Sequence, residues 1–298
     1  MYNLIKKISY KLKSKFYYDY DTSKHVWFRT GGKAAVFCIV YNEEELQIIL
    51  DNIEDIKYEI MGAGSNFLIR DKGFNGIIFK LGKNFNKIIL HEKFIEVGSS
   101  ILDSNLSRFA YNKCIKDFEF FSGIPGSIGG AIKMNAGCYG FETKNILDKI
   151  KIINSKGQLK YLDKDAINLT YRNSQLNFGD IIISANFNIT YGDNDEIKQR
   201  INKIKIMRKK SQPIKSKTSG STFKNPKNNF AAKLIEMSDC KNLNIGDAFV
   251  STKHANFLIN KDDASASQIE QLGNIVIDKV YKKFGVKLDW EIKIIGSN

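Results

Sequence analysis

Cysteine, arginine, histidine and long apolar runs are all scarce in these 298 residues, and each shortage argues against a class of protein. The four cysteines (Cys38, Cys114, Cys138, Cys240) stand far apart with no C-x-x-C pair. Such spacing disfavours a disulfide framework or a metal site and suits buried thiols in a reducing cytosol. Only six of the 46 basic residues are arginine, the side chain that reads base edges bidentately, so nucleic acid is not an expected partner. No apolar run approaches the roughly 20 residues that span a bilayer. The N-terminal "MYNLIKKISYKLKSKFYYDY" is basic and aromatic, but it has neither the apolar core nor the small-residue cleavage site of a signal peptide. A helix packed on the body is expected there, without stable membrane insertion. A cytoplasmic protein is the resulting expectation.

Apolar residues make up 43% of the chain and aromatics 12%, enough for real cores in two or three domains. The formal charge is +14 and the pI about 9.4. It comes from lysines in nearly every segment, a diffuse field that attracts anionic small molecules such as nucleotides.

Along the chain, "KAAVFCIVYNEEELQIILDNI" reads as a buried strand and then a helix, with Asn42 and Glu45 at capping-box spacing. "YEIMGAGSNFLI" is a strand running into a glycine turn, and "GIIFKL", "NKIILH" and "FIEVGSS" read as short strands. "ILDSNLSRFAYNKC" has helical spacing. "KIKIINSKGQLKYL" predicts a hairpin turning at Lys156-Gly157, and "DNDEIKQRINKIKIMRKKSQP" a charged helix ended by Pro213. A short helix around "NFAAKLIEM", a long one in "ASASQIEQLGNIVIDKVYKKFG" and a last strand, "VKLDWEIKIIG", follow. Strands and helices mix without the even spacing of a doubly wound sheet, so the fold class is α+β.

Two glycine-rich stretches suit a phosphate-bearing ligand. Gly62-Ala63-Gly64-Ser65-Asn66 follows a strand, and backbone N–H groups there can form a nest for an anion. Gly123-Ile124-Pro125-Gly126-Ser127-Ile128-Gly129-Gly130-Ala131, continuing to Asn135-Ala136-Gly137, could line a longer groove. Neither is a P-loop nor a dinucleotide G-x-G-x-x-G, and a tight turn explains the first stretch equally well. "TSGSTFKNP", residues 218–226, is open in the same way between a phosphate cradle, a serine on a bent loop and a plain turn.

In order along the chain, "RTGG", "GAGSNFLI", "GIPGSIGGAIKMNAGCYG", "YRNS", "SGSTFKNP", "IGDAFVSTKHANFLIN" and "DWEIKIIG" resemble the UDP-N-acetylenolpyruvoylglucosamine reductase (MurB) family, from about Arg29 to the C-terminus. The resemblance implies an FAD enzyme of peptidoglycan precursor synthesis. Such enzymes take hydride from NADPH and pass it to UDP-N-acetylglucosamine enolpyruvate, giving UDP-N-acetylmuramate. It implies a two-subdomain FAD-binding fold of the vanillyl-alcohol-oxidase (PCMH) type plus a C-terminal α+β substrate domain. The expected divisions are a helical segment 1–28, an FAD domain 29–192 (subdomains about 29–82 and 83–192) and a substrate domain 193–298, in a monomer. The short connection between Arg172 and Ser221 resembles the second type of the family, which lacks a tyrosine-bearing loop.

Reducing an enol ether by hydride leaves an enolate that must be protonated, so a proton donor and groups that stabilise negative charge are needed. By resemblance, Ser221 is the donor, Arg172 stabilises the enolate and Glu291 assists protonation. Resemblance likewise implies FAD contacts from Arg29, Gly62, Ala63, Gly64, Ser65, Asn66, Gly123, Ile124, Pro125, Gly126, Ser127, Gly129, Gly130, Ala131, Asn135 and Gly137. Lys224, Asn225 and His254 would hold the substrate. Residue pattern alone makes Ser221 a turn hydroxyl and Arg172 a surface side chain, and alternation puts Glu291 on the solvated face of a strand. A Ser221–His254 hydrolase pair lacks the G-x-S-x-G elbow. A flavin oxidoreductase of the same fold with another substrate, and a basic nucleic-acid-binding protein, are the alternatives.

Overall fold

The computed structural model describes residues 1–297. The first 28 residues are helical only over α1 (Tyr2–Ser9), and β1 (Lys15–Asp21) follows. The run Phe16-Tyr17-Tyr18 has high strand propensity and alternates half-buried with exposed, which is why the expected helical segment stops short. β2 (Lys33–Val40) leads into α2 (Glu43–Asp51), where the Asn42 side chain accepts the Glu45 N–H at 2.9 Å. The other half of the capping box is not made. The Glu45 carboxylate instead accepts the Lys13 and Ser14 N–H groups at 2.8 and 2.7 Å and the Ser14 hydroxyl at 2.6 Å.

Short strands follow: β3 (Tyr58–Ile60), β4 (Phe67–Ile69), β5 (Phe74–Leu81), β6 (Ile88–Leu90) and β7 (Phe94–Gly98). Next are α3 (Asp103–Asn112), α4 (Ile128–Lys133) and the small pair β8 (Gly137–Cys138) and β9 (Phe141–Glu142). β10 (Leu147–Ile153) and β11 (Leu159–Asp163) form the expected hairpin, with Gly157 left-handed at φ 70°. β12 (Ile181–Asn188), the charged α5 (Asn194–Ser211) and α6 (Ala231–Met237) come next. β13 (Asn244–Ile245), β14 (Ala248–Val250), β15 (Leu258–Asn260), α7 (Ala266–Phe284) and β16 (Lys293–Ile295) complete the chain. The sheets run β1-β2-β5-β3, β11-β10-β12-β7-β6 and β13-β14-β15, and β16 pairs in parallel with β4.

The chain divides into two compact units, each assembled from separate stretches. The first comprises residues 1–18, 36–63 and 76–206. One of its cores joins Ile95, Val97, Ile150 and Phe187 of the five-stranded sheet to Leu106 of α3 and Ile128 and Ile132 of α4. Its other core joins Val36, Ile77 and Phe79 to Leu46 and Ile49 of α2. The second unit comprises residues 19–35, 64–75 and 207–298. Its core packs Leu234 of α6 and Ile269, Leu272 and Val276 of α7 on Val250 and Leu258, with Phe28 and Leu68 from the early stretches. The expected boundaries ran consecutively along the chain. In this grouping residues 64–75 join the second unit, since they contain β4, whose strand partner β16 lies more than 200 residues away. Among the described residues no helix is long and apolar enough to cross a membrane.

Candidate active site

Within the first unit, β3 ends at Ile60 and the chain turns at Gly62. A Cβ there would meet the Ser127 hydroxyl, so a larger residue requires that side chain to rotate away. The Gly62 carbonyl accepts the Lys80 ammonium at 2.7 Å. In the 123–137 stretch many N–H groups are already used by the protein, among them Ile128, which donates to the Ile101 carbonyl, and Gly129, which donates to Ser99, both at 2.9 Å. Ser127 begins α4 without a side-chain capping bond, and the exposed Gly130 has only the Ser127 Oγ, 3.8 Å away, in the space a Cβ would take. Gly62 and Gly130 therefore flank the Ser127 hydroxyl with bare backbone, with a cation beside it, which fits the diphosphate of a dinucleotide such as FAD. Ile124, Pro125 and Gly126 are half-buried, while Gly123, Ala131 and Asn135 are buried and Gly137 is in β8.

Asn135 is 1% exposed and its amide is committed inside the fold. It donates to the Glu142 carboxylate at 2.9 Å and the Thr170 carbonyl at 3.2 Å, and its oxygen accepts the Lys144 N–H at 3.0 Å. Thr170 opens the turn that carries Arg172. Thr170 and Asn173 exchange backbone bonds at 3.1 and 3.2 Å, which leaves Tyr171 and Arg172 at the tip. Arg172 is left-handed at φ 53°, a conformation that costs a non-glycine residue free energy and recurs where function holds it. Its guanidinium lies 5.1 Å from the Tyr171 ring centre. Burial raises the pKa of the nearby Glu142 carboxyl, but hydrogen bonds from Lys144 and Asn135 and the charges of Lys144 and Arg172 outweigh it and hold the group below its usual range.

The second unit contains the rest of the first glycine stretch. Gly64 is left-handed at φ 71°, and a Cβ there would strike the His25 carbonyl. The Asn66 amide donates to the Glu291 carbonyl at 3.1 Å, and Lys293 N–H donates to the Asn66 carbonyl at 3.0 Å. Ser65 is half-buried beside it. Arg29 is exposed, with its guanidinium on the Lys24 carbonyl at 2.5 Å.

Three of the four hydroxyls of "TSGSTF" have structural partners. Thr218 donates to the Leu258 carbonyl at 2.6 Å, Ser219 to the Phe67 carbonyl at 3.3 Å, and Thr222 accepts the Leu258 N–H at 3.1 Å. The half-buried Ser221 hydroxyl makes no hydrogen bond among the described residues, and it follows Gly220, left-handed at φ 79°. Residues 222–224 are stitched on two sides. Asn256, 4% exposed, brackets Phe223 by accepting its N–H at 2.9 Å and donating to its carbonyl at 2.8 Å. On the other side Lys224 N–H donates to the Asp289 carbonyl and Glu291 N–H to the Thr222 carbonyl, both at 2.9 Å. Ser221 and Glu291 are thus held in register in one unit, and Glu291 is half-buried rather than on an open face.

Lys224 is half-buried beside Ser221, and the exposed Asn225 accepts the Ala231 N–H at 3.0 Å at the start of α6. His254 Nδ1 accepts the Asn256 N–H at 3.3 Å, and burial lowers its pKa, so the ring is neutral with Nε2–H as a donor. The pattern of residues pointed to none of Lys80, Glu142 and Asn256. Lys80 and Asn256 work through partners in other segments, Gly62 and Phe223, while Glu142 works through the nearby Asn135 and Lys144, and one lysine among so many carries no local signal.

Comparisons with known proteins agree along the chain. Residues 212–295 match the model of the UDP-N-acetylenolpyruvoylglucosamine reductase C-terminal domain, and residues 34–163 match an FAD binding domain. The UDP-N-acetylenolpyruvoylglucosamine reductase of Rickettsia conorii is 41% identical over 288 residues, covering 96% of this chain and 98% of that protein. That of Rickettsia bellii is 40% identical over 288 residues, 96% of this chain and 95% of its own length. The crystal structure of the reductase (MurB) from Thermus caldophilus matches with a TM-score of 0.83 at 27% identity, over 95% of this chain and 99% of that one. Phl p 4.0202, a glucose dehydrogenase, matches with a TM-score of 0.51 at 12% identity, over 64% of this chain and 44% of its own, and shares the fold alone.

Proposed function

The chain belongs to the UDP-N-acetylenolpyruvoylglucosamine reductase family, and from that premise we propose that Ser221, Arg172 and Glu291 carry its reaction. It is an FAD-dependent reductase of peptidoglycan precursor synthesis that uses NADPH. Its substrate is the enolpyruvyl ether of UDP-N-acetylglucosamine, converted to UDP-N-acetylmuramate. FAD, when bound, accepts hydride from NADPH and supplies it to the enolpyruvyl group. The chain's own residues meet the negative charge that this creates. Arg172, permanently charged and presented on a two-residue turn, stabilises the enolate and its carboxylate. Ser221 donates the proton, and Glu291, in register with it, orients the donor and restores its proton. Lys224, Asn225 and the Nε2–H of His254 supply donors for the diphosphate and uracil.

The observation that carries this reading is the uncommitted Ser221 hydroxyl, in a loop whose other hydroxyls are all tied down. The second type of the family is supported by the 173–220 connection, which is taken up by β12, α5 and short links. Ser221→Ala is expected to leave NADPH-driven bleaching of the flavin absorbance within about twofold of wild type. Recovery of that absorbance on adding the enolpyruvyl substrate should slow at least a hundredfold, the scale of general acid catalysis. Stopped-flow absorbance separates the two halves, and an equal loss in both would remove Ser221 from the role.

A further inference from the structure

Lys80 follows Phe79 in β5, and the Phe79 ring is fully buried. Strand alternation turns Lys80 to the opposite face, where its ammonium donates to the Gly62 carbonyl at 2.7 Å. Lys80 is half-buried, and among the described residues no carboxylate pairs with it. Burial holds its pKa below the usual lysine value, with no neighbouring charge to offset that. Withdrawing an ammonium from water against a neutral carbonyl alone is unfavourable, and a bound anion offsets that cost. The surroundings are shaped for one. The Ser127 hydroxyl lies against Gly62 where a Cβ would stand, and Gly130 is open beside that hydroxyl.

We propose that Lys80 is the counter-charge for the FAD diphosphate at this loop, and that by engaging the Gly62 carbonyl it keeps that oxygen from opposing the phosphate. The assignment rests on reading Gly62–Asn66 as the cofactor's phosphate loop. It differs from a structural role in one respect: the apoprotein gains nothing from the buried charge.

The test is titration of apoprotein with FAD and with riboflavin, which lacks phosphate, followed by flavin fluorescence. Lys80→Met and Lys80→Gln should each weaken FAD binding about ten- to a hundredfold, the range for a charge-assisted hydrogen bond. Riboflavin affinity should stay within about threefold of wild type, a margin well inside one tenfold step of affinity. The thermal midpoint of either apoprotein variant should match or exceed wild type. Lys80→Gln keeps a donor for Gly62 without the charge, so it serves where Lys80→Met does not fold. Unchanged FAD affinity, equal weakening for both ligands, or a destabilised apoprotein of the glutamine variant would each overturn the proposal. Gly62→Val tests the premise separately. If it alone loses FAD, the loop reading stands and the lysine assignment falls; if it binds FAD like wild type, the loop reading itself fails.

Discussion

Asp103 is the first residue of α3, and its carboxyl is completely buried with neither oxygen meeting a protein donor. The Ser107 hydroxyl, one turn further along the helix, also lacks a protein partner. Burial pushes the Asp103 pKa well above the carboxylate range, so the folded chain keeps the acid protonated. The unfolded chain releases that proton near pH 4, at about 3.9. Stability from this group is therefore fully present below that pH and is lost as pH rises toward the folded value. Each pH unit inside the window costs about 1.4 kcal/mol. Asp103→Asn removes the titration, so its thermal midpoint relative to wild type should climb by a few degrees per pH unit from pH 4 upward, until the folded pKa is passed. Calorimetry across pH 4 to 8 checks this, and a difference that does not change with pH would refute it. Glu45 shows the contrast. It too is a buried acid, but three donors meet its carboxylate and its pKa is lowered despite burial. Sequence does not separate the two, because the deciding donors on Lys13 and Ser14 lie in another loop.

At the scale of elements, α7 carries its boundaries in its own sequence. Ser265 and Gln268 make a full capping box and Gly285 ends the helix left-handed at φ 68°. Asp71 adds two bonds to the Ala266 and Ser267 N–H groups at 2.9 and 2.8 Å. Gly273, in mid-helix, runs against propensity, where glycine costs about 1 kcal/mol relative to alanine. The reason is Trp290: its ring occupies the space a Gly273 Cβ would need and packs on Phe223 at 5.0 Å between ring centres. Gly273→Ala should therefore lower the thermal midpoint, since overpacking of about 1–3 kcal/mol exceeds the gain in propensity. It should also slow flavin recovery by the enolpyruvyl substrate several-fold, because Trp290 adjoins Glu291. A variant more stable than wild type would mean that propensity decides instead. The C-terminal segment shows the limit of periodicity. Alternation correctly buries Leu288 and Ile292, yet only Lys293–Ile295 is a strand. The preceding backbone groups bond to residues 222–224 in an irregular seam, and alternation names a buried side without naming its partner. For the same reason the glycine stretches and "TSGSTF" were legible as special loops, whereas Asn256 and Lys80 became visible only through the backbone they hold.

At the scale of the whole molecule, the second unit is not a C-terminal piece. β16 takes β4 as its strand partner, with Lys293 opposite Phe67 and Ile295 opposite Ile69. Arg70 forms a two-pronged pair with Glu270 of α7 at 2.8 and 2.7 Å and donates to the Gly296 carbonyl at 3.1 Å. Asn260 donates to the Phe28 carbonyl at 2.8 Å, and Phe28 and Leu68 are fully buried among the α6 and α7 side chains. Losing two such buried residues forfeits about 1.5–3 kcal/mol each, against a usual domain stability of about 5–15 kcal/mol. The fragment 207–298 would in addition have β16 unpaired and the start of α7 without the Asp71 carboxylate. Expressed alone, it should show no cooperative thermal transition and little dispersion in its amide proton spectrum. Adding the fragment 1–206 should restore both, together with FAD that stays with the protein through gel filtration, because the missing partners then return from residues 19–35 and 64–75. A sharp transition from 207–298 by itself would show that α6, α7 and the β13-β14-β15 sheet suffice as a core. The early stretches would then be accessories to a domain that folds without them.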